Sequence, residues 1–125
     1  ELSRFLLAVK LCFLIENSNK TQIFDEIDRG VGGATASAIG KRLLQLSKHE
    51  QVLVVTHSPQ VAAYSDNHLK VEKINRDNLT NTEVNTLDEK SLIEEIARML
   101  SGELISSEAL AAAATLRNSS RNSAS

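Results

Sequence analysis

Residues 52–55, Val-Leu-Val-Val, are apolar at every position and mostly β-branched. A half-exposed strand alternates polar and apolar side chains, but this one has no polar face. It reads as a central parallel strand, covered on both sides. Parallel neighbours need a long crossover, and the preceding residues supply one. Thr21–Phe24 reads as a short strand running into Asp25 and Glu26. A glycine-rich turn follows over 29–36. From about Ala34 to Lys48, Ile39, Leu43 and Leu46 recur at helical spacing. Strand, helix, strand is a βαβ unit, so the expected fold is α/β with a mostly parallel sheet flanked by helices. Ligands of such sheets gather at the C-terminal strand ends. Asp25, Glu26 and His57 all fall there and are expected to face one crevice.

The rest of the chain decorates this unit. Residues 2–16 are apolar nearly all round and read as a buried central helix. Its Phe5–Ile15 stretch is too short to span a bilayer and is interrupted by Lys10, so no membrane association is expected. Ser58-Pro59 has the form of an N-cap followed by proline at the first helical position. Residues 68–74 and 81–87 read as a polar edge hairpin turning at 75–78. Leu92, Ile93, Ile96, Ala97 and Leu100 line one side of a helix that Gly102 stops, and Ser91–Glu94 has capping-box spacing. A last helix covers residues 106–117. The expected organisation is one unit over 1–117 and a disordered polar tail over 118–125. No internal repeat is present.

Composition narrows the function classes. At 42% hydrophobic and 24% charged, 125 residues suffice for one modest soluble domain. A net charge of −2 excludes a global basic signature for nucleic acid. Cys12 is the only cysteine, which excludes an intrachain disulfide and fits a reducing cytoplasm. The chain opens on Glu1 rather than Met, as a fragment would.

Phosphoanhydride hydrolysis needs a cation on the phosphates and a group that orients the attacking water. Adjacent carboxylates at a strand end suit both: Asp25 for magnesium, which keeps several waters, and Glu26 for the water. A solvated acidic turn is the simpler alternative for the pair alone. His57, after an apolar strand and before a capped helix, is placed to reach a γ-phosphate. Gly30, Gly32 and Gly33 are either a plain strand-to-helix connection or a loop meeting a second subunit. Asp28 and Arg29 either position that loop, pair across an interface, or simply form an exposed turn. Gly40-Lys41 is a decoy. A phosphate-binding loop needs G-x-x-x-x-G-K-[ST] between strand and helix, whereas Thr35 and Arg42 occupy its first and last positions here. No other stretch fits.

The segments ELSRFLLAVK, IFDEIDRGVGGATA, VLVVTHSPQVAAYSD and EEIARMLSG, in that order, resemble the C-terminal half of the ATPase head of the RecN family. These bacterial DNA repair proteins are related to the structural-maintenance-of-chromosomes (SMC) and ABC ATPases. The resemblance runs to about Leu116. It implies a partial P-loop head with a C-terminal hairpin and two helices. Asp25 would be the Walker B aspartate that supports magnesium, and Glu26 the catalytic glutamate. His57 would be the switch histidine. Asp28–Gly33 would be the loop that meets the opposing head, with Asp28, Gly30 and Gly33 near its nucleotide. Glu1, Leu2, Ser3 and Arg4 resemble the tail of the ABC signature, with Glu1 and Ser3 beside nucleotide. The resemblance further implies ATP and Mg²⁺ as cofactors and an N-terminal half carrying Walker A as partner. It also implies a head-to-head homodimer, DNA as the target of the complete protein, and a cytoplasmic, nucleoid-associated location. Two alternatives are an ABC transporter ATPase fragment, disfavoured by DEIDRGVGG, and a non-enzymatic truncated interaction module. The isolated chain is expected to expose an apolar face that the missing half would cover.

Overall fold

The computed structural model describes Phe5, Val9, residues 21–76 and residues 79–122. Phe5 and Val9 are helical. The remainder of the expected 2–16 helix, with Glu1 and Ser3, lies outside the described residues.

β1 (Thr21–Asp25) and β2 (Gln51–Val55) pair in parallel, level from Thr21↔Gln51 to Asp25↔Val55. α1 (Gly33–Ser47) makes the crossover. The period of two decides what each strand buries. Phe24, Val52 and Val54 pack with Ala36, Ile39, Leu43 and Leu46 of α1. On the opposite face Ile23, Leu53 and Val55 are 65%, 44% and 58% exposed. The Val-Leu-Val-Val strand, expected to be central and covered on both sides, lies in a two-stranded sheet among the described residues and is covered on one side; its other side is the open apolar face expected of the isolated chain. Gly40 sits inside α1, where an added Cβ would lie 2.5 Å from Cδ2 of Tyr64. Glycine permits that close approach, and Lys41 beside it is exposed on the helix, so Gly40-Lys41 belongs to no phosphate loop.

The second half is built on small residues. α2 (Pro59–Ala62) starts with Ser58 at its N-cap and Pro59 first, as expected. β3 (His68–Arg76) and β4 (Leu79–Leu87) form the antiparallel hairpin, with pairing carried out to Arg76↔Leu79. α3 (Glu89–Ser101) and α4 (Ser107–Asn122) complete the chain. Ala62, Ala63, Leu92, Ile96, Ala97, Ala109 and Ala113 join α2, α3 and α4 in one core.

Three expectations change. The cap of α3 is Asp88, whose Oδ1 accepts from the Ser91 N–H at 2.8 Å, so Ser91–Glu94 is one turn inside the helix. Leu100 is 40% exposed while Glu95 is buried. Glu95 takes the inward position because Lys70 of β3 reaches its Oε2 at 3.1 Å and Arg98 binds it from one turn away. Finally, residues 118–122, expected to be a disordered tail, continue α4. Ser120 is buried and its hydroxyl donates to the Leu116 carbonyl, and Arg121 pairs with Asp66 at 2.8 Å. Contacts with the loop after α2, invisible to periodicity, extend the helix.

Arg117 is 1% exposed and spends four donors. Nε and Nη2 donate to the Glu89 carboxylate at 2.8 and 3.0 Å, and Nη1 donates to the carbonyls of Ala63 and Ser65, each at 2.7 Å. A guanidinium can serve this fork, and a lysine ammonium cannot. Arg117→Met leaves those buried carbonyls unpaired and should cost about 2–4 kcal/mol in urea unfolding, with Arg117→Lys recovering only part.

Burial pushes the His68 imidazole below its ordinary value of 6.5, helped by Arg117 and opposed by Glu95. The hydrogen bond from Arg117 holds Glu89 below its ordinary 4.5. For Glu95, burial raises the value, but hydrogen bonds from Arg98 and Lys70 outweigh it and hold it below 4.5. All three depressions favour the fold at higher pH. The thermal midpoint should stay level above about pH 6.5, decline below it as unfolded His68 takes up a proton, and fall again below about pH 4.5. His68→Gln should remove the first decline and keep the second.

Candidate functional site

The level ends of β1 and β2 bring residues 25–28 beside residues 55–58. Asp25 closes β1 opposite Val55, exposed and on the open face of the sheet. Glu26 follows, and its N–H donates to the Val55 carbonyl at 3.0 Å, one rung beyond the strand. Its φ is 47°, the only positive φ at a non-glycine among the described residues. This left-handed conformation crowds the Cβ and costs an L-residue roughly 1–2 kcal/mol. The turn closes through Arg29 N–H to the Glu26 carbonyl at 3.1 Å. The Arg29–Glu26 ion pair at 3.3 Å is exposed at both ends and contributes little.

Asp28 is buried at 4% exposure. Its Oδ2 accepts from the Thr56 hydroxyl at 2.5 Å, and the Thr56 oxygen accepts the Ser58 N–H at 2.9 Å. The Asp28 carboxylate thus faces inward, tied to the neighbouring loop. Expected beside the nucleotide of an opposing head, it is not presented outward, whereas Arg29 and Gly30 are. Gly30 has φ +73° with open space around it, a conformation that favours glycine. Gly33 opens α1 with the Gln60 amide close by. Both lie in the strand-to-helix connection. His57 is exposed, directly after Thr56. The structure brings Asp25, Glu26 and His57 to one end of the sheet. Glu1 and Ser3 lie outside the described residues.

Thr56 is the site residue that the sequence reading passes over. A hydroxyl directly after an apolar strand was the available signal, but its partner depends on the parallel register.

Chemically, the strand end offers two exposed carboxylates and an exposed imidazole. Among the described residues no group of three His, Cys, Asp or Glu could hold a metal by itself. Asp25 is a single hard oxygen ligand, suited to a cation that keeps most of its waters. Among the described residues no helix is long and apolar enough to cross a membrane.

No family model matches the chain. Curated proteins do. The DNA repair protein RecN of Streptomyces coelicolor is 45% identical over 121 residues, 97% of this chain and 21% of that protein. The RecN of Xylella fastidiosa (strain Temecula1) is 47% identical over 116 residues, 93% of this chain and 21% of that protein. The RecN of Rickettsia felis is 45% identical over the same length and shares. The chain therefore spans about a fifth of the length of the curated relatives it matches. Among solved structures, one from work on ATP-driven dimerization and DNA-stimulated activation of SMC ATPases superposes with a TM-score of 0.60 at 19% identity, covering 80% of this chain and 57% of that one. The likeness is one of fold.

The strain at Glu26 is directly measurable. Glu26→Gly relieves the left-handed conformation and should raise unfolding stability by about 1 kcal/mol in urea titration. A loss of stability would mean that Glu26 is not held left-handed in solution.

Proposed function

We propose that this chain, 45–47% identical to RecN DNA repair proteins over the segment it spans, forms the part of an ATPase head that carries Walker B. The observation that supports this reading is the level register of β1 and β2, which sets Asp25 and Glu26 against Thr56-His57 at the C-terminal strand ends. Asp25 would hold Mg²⁺, and its exposed carboxylate at a strand end fits that ion. The cation would neutralise phosphate charge. Glu26 orients the attacking water and draws its proton. His57 hydrogen-bonds the γ-phosphate and fixes its orientation. Gly30 and Gly33, with the signature tail at Glu1 and Ser3, meet the nucleotide of an opposing head.

ATP turnover on this reading needs the Walker A loop, carried by an N-terminal half. The chain alone is inactive, and the complete protein is a bacterial cytoplasmic ATPase that dimerises head to head around nucleotide. It acts on DNA at the nucleoid, in double-strand-break repair and recombination. The relatives' name as DNA repair proteins supports the biological setting, and the SMC-type fold supports the head.

The test grafts this chain onto the rest of Streptomyces coelicolor RecN in place of its matching segment. The graft should turn over ATP, the isolated chain should not, and Glu26→Gln should reduce kcat by about 100-fold or more while the protein still binds ATP. Undiminished turnover in Glu26→Gln would remove Glu26 from the chemistry.

A further inference from the structure

Asp28 poses a physical question. A carboxylate that is 4% exposed has lost its water, and its Oδ1 has no hydrogen-bond partner among the described residues. Burying a charge this way is costly unless it is paired. Its one described side-chain partner is a neutral hydroxyl, Thr56. A buried polar group left half satisfied calls for a reason beyond packing.

The reason lies in what the bond joins. Thr56 sits between Val55, whose carbonyl accepts the Glu26 N–H, and His57. Its oxygen also accepts the Ser58 N–H. Two cross-links thus tie the loop after β1 to the end of β2 and the residue beyond it: Glu26 to Val55, and Asp28 to Thr56. Between them Ile27 is buried, so the intervening backbone has little room to shift. Glu26, at φ 47°, sits in the loop fixed by these two links. Released from the second link, the loop would relax toward right-handed backbone and carry the Glu26 carboxylate with it.

We infer that Asp28, acting through the Thr56 hydroxyl, is a positioning residue that locks Glu26 in its left-handed conformation and sets it at a fixed separation from His57. This rests on the reading of Glu26 as the catalytic carboxylate. Asp28 then touches neither nucleotide nor water.

The experiment uses the grafted full-length protein and four variants: Glu26→Gln, Thr56→Val, Thr56→Ser and Asp28→Asn. Thr56→Val removes the hydroxyl at nearly constant volume, and Thr56→Ser keeps it. Thr56→Val should lower kcat for ATP about 10- to 100-fold with KM within about twofold, measured well below the melting temperature. Thr56→Ser should restore kcat to within about threefold of the parent. Asp28→Asn keeps an acceptor for the hydroxyl and should lose less than Thr56→Val. A purely structural bond would shift the melting temperature and leave kcat unchanged. If Glu26→Gln is inactive and Thr56→Val keeps full kcat, the positioning role is overturned and the catalytic reading stands. If Thr56→Ser is as impaired as Thr56→Val, the hydroxyl is not the link and the proposal falls. If Glu26→Gln keeps full turnover, both readings fall together.

Discussion

The parallel pairing of β1 with β2, level from Thr21↔Gln51 to Asp25↔Val55, is the constraint on which the rest of the structure depends. Parallel strands must be joined by a crossover, and α1 is that crossover. Level ends place the residue after each strand side by side. A slip of two residues would keep every side chain on its face, but it would part Glu26 from the Val55 carbonyl and Asp28 from Thr56, and so take the site apart.

The two halves solve the packing problem differently. Around the parallel pair, large aliphatic side chains of α1 fill the space above the sheet. In the second half alanines let α2, α3 and α4 approach closely, which leaves little apolar area to bury. Charge supplies what area does not. Arg117 satisfies the carbonyls that end the α2 turn while gripping the first residue of α3. Lys70, Glu95 and Arg98 tie the hairpin to α3. Such networks contribute orientation more than raw stability, and here they fix how three short helices and a hairpin meet.

At the strand ends the structure accepts local costs. Glu26 is held left-handed, and Asp28 is buried with one oxygen unpaired among the described residues. Costs of this kind concentrate where a side chain must be held in one place. Their grouping within three residues, at the point where the carboxylate pair meets His57, fits a site whose geometry is set by backbone and loop cross-links rather than by side-chain packing.

The sequence by itself determined the elements and their order. β-branched runs, helical periodicity, Pro59 and Gly102 are local signals, and the hairpin, α1 and α3 follow from them. It also determined that Asp25, Glu26 and His57 lie at strand ends, because strand direction follows from the βαβ order. Only the tertiary structure decided which polar groups are buried. Glu95 displaced Leu100 because Lys70 arrives from another strand. Residues 118–122 stayed helical because Arg117 and Arg121 reach a loop more than fifty positions earlier. Thr56 joined the site because the register set it against Asp28. Each depends on a partner distant in sequence, and hydrophobic periodicity reports which face a residue shares, not which charge or hydroxyl will meet it there.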